Sequence, residues 1–311
     1  MEDGALTKPV AVVACVAMAS FFVGILYAPT LILRLPPPSS YEIFLIRRFI
    51  CAAISSVASV VVSALLLPIK SREASYLFGV YGIRTDHIWQ ALVFPLSLTA
   101  LMYAGSLTLK SLLLINSLRE DMNCSGGLSF DYIKSISQEV VASMRSIASN
   151  VLHWRNYVVA PVTEELVFRA CMVPLLLCGG FQKYTVIFLC PIFFSLSHLS
   201  HLMDVYIKQK NNWIRASKVI GLQLGYTVVF GSYASFLFIQ TGHFLAPVVA
   251  HVFCNIMGLP VLVSPGKGII SVAFLAGMLG FLWLLFPITN SALYNDRTDN
   301  CRCWQGYCSG N

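Results

Sequence analysis

Charged residues are scarce in this sequence. Asp, Glu, Lys and Arg make up 11% of its 311 residues, whereas hydrophobic residues make up 57%. Soluble domains carry about 25% charged residues, and a soluble chain of this length would need them to cover its surface. The deficit excludes an ordinary soluble globular protein. Together with a mean hydropathy of +0.73, it indicates a protein that is solvated by lipid.

The net charge of +7 does not indicate nucleic-acid binding, because the sequence has no basic stripe with interleaved aromatic residues. Its Lys and Arg residues stand in short loops between apolar runs, the distribution that the positive-inside rule describes. The loops after the first, third and fifth runs hold most of them, including Arg47, Arg48, Lys208, Lys210, Arg215 and Lys218. We predict no nucleic-acid partner, and we predict that these loops lie in the cytoplasm.

Apolar runs long enough to cross a bilayer recur along the chain, and a spanning helix needs about 20 such residues. The runs lie at residues 10–33, 49–68, 88–109, 157–178, 184–203, 220–239, 244–263 and 269–289. They predict an all-α polytopic integral membrane protein with about eight transmembrane helices. We expect a single membrane domain over residues 1–311, ending in a polar C-terminal tail over residues 291–311.

Residues 130–150 show a different pattern. Apolar residues recur there at three- and four-residue spacing, with polar and charged residues off that stripe, which indicates an amphipathic helix. We predict that this helix lies in the plane of the membrane interface. Packing beneath the helix bundle is the alternative.

Most of the 10 cysteines do not suggest a disulfide framework. Six fall inside apolar runs, where a free cysteine behaves as a small hydrophobe: Cys15, Cys51, Cys171, Cys178, Cys190 and Cys254. Cys301, Cys303 and Cys308 crowd the polar tail instead. Metal binding, disulfide pairing, palmitoylation and an unstructured tail all remain open for them.

Two carboxylates stand where an apolar run should exclude them. Of the 14 Asp and Glu residues, only Glu164 and Glu165 lie well inside such a run. A charge near the bilayer centre costs at least about 2.5 kcal/mol, so ionisable residues there are usually functional. Glu165 and Arg169 are four residues apart, which predicts an ion pair on one helix face. Glu164 points about 100° away, and we predict that it is the carboxylate that does chemistry.

Two further apolar runs carry imidazoles. His198 follows a segment of aromatic and small residues, and His251 shares a helix face with Asn255. Polar groups in lipid need partners, so we expect these side chains to meet Glu164 around a small polar cavity. A carboxylate there can act as a general base, one imidazole can assist it, and a second imidazole with an amide can stabilise an oxyanion. No G-x-S-x-G elbow is present, which favours direct attack by water.

These residues resemble the motifs of the Ras-converting type II CAAX prenyl endopeptidases, within the intramembrane glutamate proteases. The motifs are E-E-x-x-x-R from Glu164, F-x-x-x-H from Phe194 and H-x-x-x-N from His251, in that order. The similarity is strongest over about residues 154–260, which we predict to be the catalytic core helices. The resemblance implies a multi-pass protein of the endoplasmic reticulum membrane. It would remove the last three residues from prenylated CAAX proteins such as small GTPases, delivered by membrane lipid, with no cofactor or metal.

The resemblance also implies a role for each motif residue. Glu164 and His198 would activate water, and His251 with Asn255 would form the oxyanion hole. The orienting positions match three further residues: Glu165, Arg169 and Phe194.

Two other functions remain possible from the residues alone. Glu164, His198 and His251 together make a known catalytic zinc set, although the H-E-x-x-H helix of many zinc proteases is absent from the sequence. A non-catalytic membrane scaffold or transporter would use the same polar residues for packing or ion passage.

Overall fold

The computed structural model describes residues 6–68, 73–125, 138, 142, 144–261 and 268–295, and these residues contain helices and no strand. The predicted all-α class is therefore confirmed. We label the helices as follows: α1 (Lys8–Leu31), α2 (Tyr41–Leu66), α3 (Ala74–Val80), α4 (Ile88–Met102), α5 (Ala104–Ser125), α6 (residues 151–178), α7 (Lys183–Ser197), α8 (Leu202–Lys208), α9 (Trp213–Thr241), α10 (Leu245–Met257) and α11 (Gly268–Ile288).

The chain is a polytopic membrane protein, but the structure does not confirm the count of eight spans. Among the described residues, five helices are long and apolar enough to cross a membrane: α1, α2, α7 with the turn that follows it, α9 and α11. A sixth span results if α4 and α5 are counted together, although they meet at an angle of 81°.

The bend between α4 and α5 replaces the straight helix predicted over residues 88–109. Tyr103 leaves helical geometry there, and its hydroxyl donates a hydrogen bond to the carbonyl of Gly258 at 2.7 Å. Helix α11 fills the corner: a Cβ on Gly277 would lie 2.2 Å from the carbonyl oxygen of Leu101. The bend is thus held from two sides by tertiary contacts.

Helix α10 is shorter than the run predicted over residues 244–263. Gly242 and Gly258, both with positive φ, flank its 13 residues. At 1.5 Å per residue such a helix is about 20 Å long, less than the roughly 30 Å of the hydrocarbon core. The helix therefore lies within the bundle and reaches only part of the way across.

Small residues on α2 allow the neighbouring helices to approach closely. Four serines on α2 are buried: Ser55, Ser56, Ser59 and Ser63. Helix α2 packs against α1 and α6, and the hydroxyl of Ser63 donates to the carbonyl of Cys171 of α6 at 3.3 Å. Small and hydroxylated residues are common at helix interfaces in membranes because they combine close packing with hydrogen bonds. The six cysteines predicted to be free are free thiols.

The two ends of the bundle differ in charge. Tyr27 of α1 donates to the carbonyl of Ser200 at 3.4 Å, so α1 and α7 finish at the same end, where α2, α6 and α9 begin. This basic end carries Arg34, Arg47, Arg48, Arg155, Lys208, Lys210, Arg215 and Lys218. The far end carries fewer cations among the described residues: Lys8, Arg84 and Lys183. The positive-inside rule predicts that the basic end faces the cytoplasm.

A polar cluster closes the far end. Arg84 pairs with Asp86 and donates to the carbonyl of Tyr294 at 2.9 Å. The amide of Asn295 donates to the carbonyl of Thr241 at 3.3 Å. Hydrogen bonding from Arg84 lowers the pKa of Asp86 below its usual value. Residues 291–295, predicted to begin the polar tail, therefore fold back onto the bundle.

Several predictions fall outside the described residues. Most of the amphipathic helix predicted over residues 130–150 does, although residues 144–149 are helical and exposed. The remainder of the tail, with Cys301, Cys303 and Cys308, lies there as well.

Gly277→Ala should destabilise the protein. The new methyl group would overlap Leu101 and the side chain of Ala104, which lies 2.5 Å from the ideal Cβ position, and overpacking of this kind costs about 1–3 kcal/mol. Gly280→Ala is the matched control, because its Cβ would meet Leu101 at 3.6 Å, an ordinary contact. Thermal unfolding of the purified variants in detergent measures the difference. Equal stability of the two variants would contradict the packing described here.

Candidate active site

Helix α6, which carries Glu164 and Glu165, is interrupted twice. Two π-helical segments, Arg155–Val159 and Leu166–Cys171, flank the α-helical turn Ala160–Glu165. The residue four positions before Pro161 lies in the first π segment, and the residue four positions before Pro174 lies in the second. A proline lacks an N–H and its ring clashes with the carbonyl four residues earlier, so the helix widens at both places. Such π segments are frequent at functional sites.

Glu165 is the centre of a fully buried polar group. Its Oε1 lies 3.1 Å from a guanidinium nitrogen of Arg169, and both side chains are 0% exposed. The same oxygen lies 2.7 Å from Nδ1 of His251 on α10. The predicted ion pair is therefore present, and the carboxylate has a second partner that its helix alone does not supply. Since an ionised carboxylate only accepts hydrogen bonds, Nδ1 of His251 is the donor.

Aromatic side chains pack closely around this buried polar group. The guanidinium of Arg169 stacks 4.5 Å from the ring centre of Phe194, and the Phe230 ring lies 4.9 Å from that of His251. A Cβ on Gly231 of α9 would lie 2.9 Å from Arg169, so a methyl group there would displace the guanidinium from its present position. Phe194 thus holds Arg169 from one side while its backbone carbonyl accepts from Nδ1 of His198 at 3.0 Å.

Glu164 faces a cavity of about 100 Å³ between α1, α2, α6 and the end of α7. Its side chain is 20% exposed. His198, which begins the 3₁₀ turn after α7, lines the same cavity with Phe22, Leu45 and Thr163. Because Nδ1 of His198 donates to a carbonyl, Nε2 is the nitrogen that can accept a proton. The structure therefore places a carboxylate and an imidazole together on one partly solvated surface.

His251 links the two carboxylates. Its Nδ1 is held by Glu165, and its Nε2 lies 3.8 Å from Oε2 of Glu164. The imidazole is almost completely buried, with 8% of its side chain exposed. Its ring plane and orientation are thus determined by Glu165, and its second nitrogen is directed toward the carboxylate that faces the cavity.

Asn255 lies one turn beyond His251 and does not line the cavity. Its amide Nδ2 donates to the carbonyl of Asn156 at 2.8 Å. The N–H of Ala160 bonds to the carbonyl of Arg155, five residues back, and the next donor in that register would be Pro161, which has none. Asn255 therefore supplies the hydrogen bond that Pro161 cannot.

Some features of the site escaped the sequence analysis. The contact of Asn255 with Asn156 depends on the π segment, and the spacing of residues in the sequence does not predict such a segment. Arg48 and Arg155 line the cavity, but basic residues at the edge of apolar runs also satisfy the positive-inside rule. Gly231 offered one signal, since a glycine inside a long helix often marks close packing.

The three residues of the possible zinc set do not form a ligand cluster. In the part of the chain that the structure describes, no group of three or more His, Cys, Asp and Glu side chains is arranged to hold a metal ion. His251 directs Nδ1 at Glu165, and its Nε2 lies 3.8 Å from Oε2 of Glu164.

The fold and the site define an all-helical integral membrane protein with two carboxylates and two imidazoles gathered at one end of its bundle. Residues 147–257 match the family described as Type II CAAX prenyl endopeptidase Rce1-like. The chain is 60% identical to a CAAX prenyl protease 2 of Arabidopsis thaliana over 310 residues, 99% of each chain. It is 33% identical to a CAAX prenyl protease 2 of Homo sapiens over 294 residues, 92% of this chain and 83% of the human protein. No solved structure matches it. The chain belongs to the type II CAAX prenyl endopeptidase family.

Arg169→Leu should lower thermal stability as well as activity. It leaves the buried Glu165 carboxylate without its ion-pair partner, and breaking a buried pair in this way costs about 3–5 kcal/mol. The double variant Arg169→Leu with Glu165→Gln removes that charge and should regain part of the lost stability without regaining activity. Unfolding temperature and yield in detergent are the readouts. A fully stable Arg169→Leu would show that the pair does not hold the fold.

Proposed function

We propose that this CAAX prenyl endopeptidase removes the last three residues from prenylated CAAX proteins by direct attack of water activated by Glu164 and His198. The observation that supports this most is the shared cavity: Glu164 and His198 both line it, together with Arg48 and Arg155 of the basic end. Glu165, Arg169 and His251 form the buried support behind them.

In the proposed reaction, a water molecule in the cavity donates a proton to the carboxylate of Glu164. The resulting hydroxide attacks the carbonyl carbon of the prenylated cysteine. The C–N bond then breaks, and the proton passes to the leaving amine, with His198 as the second proton carrier through its Nε2. The products are a protein ending in the prenylated cysteine carboxylate and a free tripeptide.

His251 and Asn255 are proposed to stabilise the tetrahedral oxyanion. With Nδ1 donating to Glu165, Nε2 of His251 can donate to an oxyanion only when both ring nitrogens carry protons. An amide has two N–H donors, so the bond from Asn255 to Asn156 leaves one for an oxyanion that forms at the edge of the cavity beside α10. Glu165 thereby orients the imidazole that acts on the substrate.

The proposed membrane location of the protein follows from the physical chemistry of its substrate. A prenyl chain gains about 0.8 kcal/mol for each methylene buried in lipid, so the anchor itself brings the scissile bond to the membrane surface. A cavity at the basic end receives it there. We propose that the protein lies in the endoplasmic reticulum membrane with this end toward the cytoplasm, where prenylated small GTPases would be its substrates.

Glu164→Gln should abolish tripeptide release from a prenylated CAAX peptide while the unfolding temperature stays that of the wild type. The amide has nearly the same shape but cannot accept the proton of water. Glu42→Gln, an exposed change at the start of α2, should retain wild-type turnover. Product formation by purified protein, analysed by mass spectrometry, is the measurement. Wild-type turnover by Glu164→Gln would remove Glu164 from the mechanism, and no turnover by the wild type would favour a scaffold.

Asn255→Ala separates the water mechanism from a zinc mechanism. Loss of one oxyanion donor lowers kcat by about 10²–10³-fold with little effect on substrate binding. If His251 were a zinc ligand, Asn255 would only support it, and its loss would weaken metal affinity by about 10–100-fold, a defect that added zinc should rescue. We expect a large loss in kcat that neither zinc nor chelator changes. Rescue by zinc would overturn the proposed mechanism.

A further inference from the structure

Two arginines share the cavity with Glu164 and His198. Arg48 comes from α2 and Arg155 from the first π segment of α6, and these two helices pack against each other. The proposed chemistry uses neither residue. Two cations that face a cavity from neighbouring helices indicate that the cavity accommodates an anion.

Neither guanidinium is paired with a carboxylate in the part of the chain that the structure describes, whereas the guanidinium of Arg169 pairs with Glu165. The Nε atom of Arg48 is buried and has no hydrogen-bond partner, and its guanidinium is held 4.9 Å from the ring centre of Phe44. Arg48 and Arg155 are partly buried, and together with Glu164 they leave the cavity lining with an excess of positive charge. A ligand that carries a negative group would be attracted to this excess charge.

The spacing along α6 matches the length of the peptide that is released. Arg155 precedes Glu164 by nine positions, which corresponds to about 13 Å of helix at 1.5 Å per residue. Three extended residues span about 10 Å. A long arginine side chain covers the difference. A tripeptide whose first bond lies at Glu164 would therefore bring its terminal carboxylate to the arginines.

We propose that Arg48 and Arg155 bind the free C-terminal carboxylate of the substrate and thereby set the cleavage point three residues from the chain end. The inference rests on the proposed function. Arginine suits this role because its planar guanidinium binds a carboxylate through two parallel hydrogen bonds. A chain that continued beyond the third residue would bring an uncharged peptide bond to the two cations instead.

The test compares two prenylated CAAX peptides that differ only at the C-terminus, one a free acid and the other an amide. Each is assayed with the wild type, Arg48→Gln, Arg155→Gln and the conservative Arg155→Lys. Arg47→Gln is the matched control, because Arg47 donates to the carbonyl of Pro36 at 2.8 Å and does not line the cavity. The readout is the ratio of kcat/KM for the acid to kcat/KM for the amide.

We expect the wild type and Arg47→Gln to prefer the acid by about 10- to 100-fold, the range for losing a hydrogen bond to a charged group. Arg48→Gln and Arg155→Gln should lower this ratio toward one by slowing cleavage of the acid, without a comparable further loss on the amide. Arg155→Lys should retain an intermediate ratio, because it keeps the charge and loses the paired hydrogen bonds.

Three results would overturn the inference. The first is a wild type that cleaves both peptides equally well. The second is a set of glutamine variants that keep the wild-type ratio. The third is an equal loss on both peptides, as expected if the arginines only contact lipid phosphates or support the fold. Failure of the proposed function looks different, since the wild type would then release no tripeptide from either peptide.

Discussion

A carboxylate inside a bilayer must be satisfied by the protein itself, since the hydrocarbon core holds no water to do so. Glu165 meets this constraint at Oε1, which has two partners, Arg169 from its own helix and His251 from α10, whereas its Oε2 is buried with no hydrogen-bond partner among the described residues. The need to bury this ion pair also affects the neighbouring helices. Arg169 needs the open space at Gly231 and the ring of Phe194, which determines how α7 and α9 pack against α6.

This buried group explains why two adjacent glutamates behave differently. Successive residues on a helix point about 100° apart, so a helix that buries Glu165 against α10 turns Glu164 toward the cavity. Glu164 then shares that cavity with His198, and its Oε2 lies 3.8 Å from Nε2 of His251. Glu165, which belongs to the buried group, and Glu164, which faces the cavity, are therefore consecutive residues, and His251 contacts both.

The sequence was most informative where a single helix determines the geometry. The ion pair between Glu165 and Arg169 follows from four-residue spacing, and most spans follow from the length of their apolar runs. It was least informative where tertiary contacts decide. The bend at Tyr103 depends on Gly258 and on the close approach of Gly277, and neither is near Tyr103 in the chain. The bond between Asn255 and Asn156 depends on a π segment and on the missing N–H of Pro161, a combination that periodicity does not detect.

The central claim is that Glu164 and His198 act on a peptide bond held in the cavity at the basic end. An experimental structure of Glu164→Gln with a bound, uncleaved prenylated CAAX peptide tests it most directly. Reacting groups in such a complex lie about 3–3.5 Å apart, directly or through one water. The account predicts the carbonyl carbon of the prenylated cysteine at that distance from residue 164 or from a water bound to it, with His198 beside it. A peptide bond placed outside this cavity, or a metal ion between His198 and His251, would contradict it.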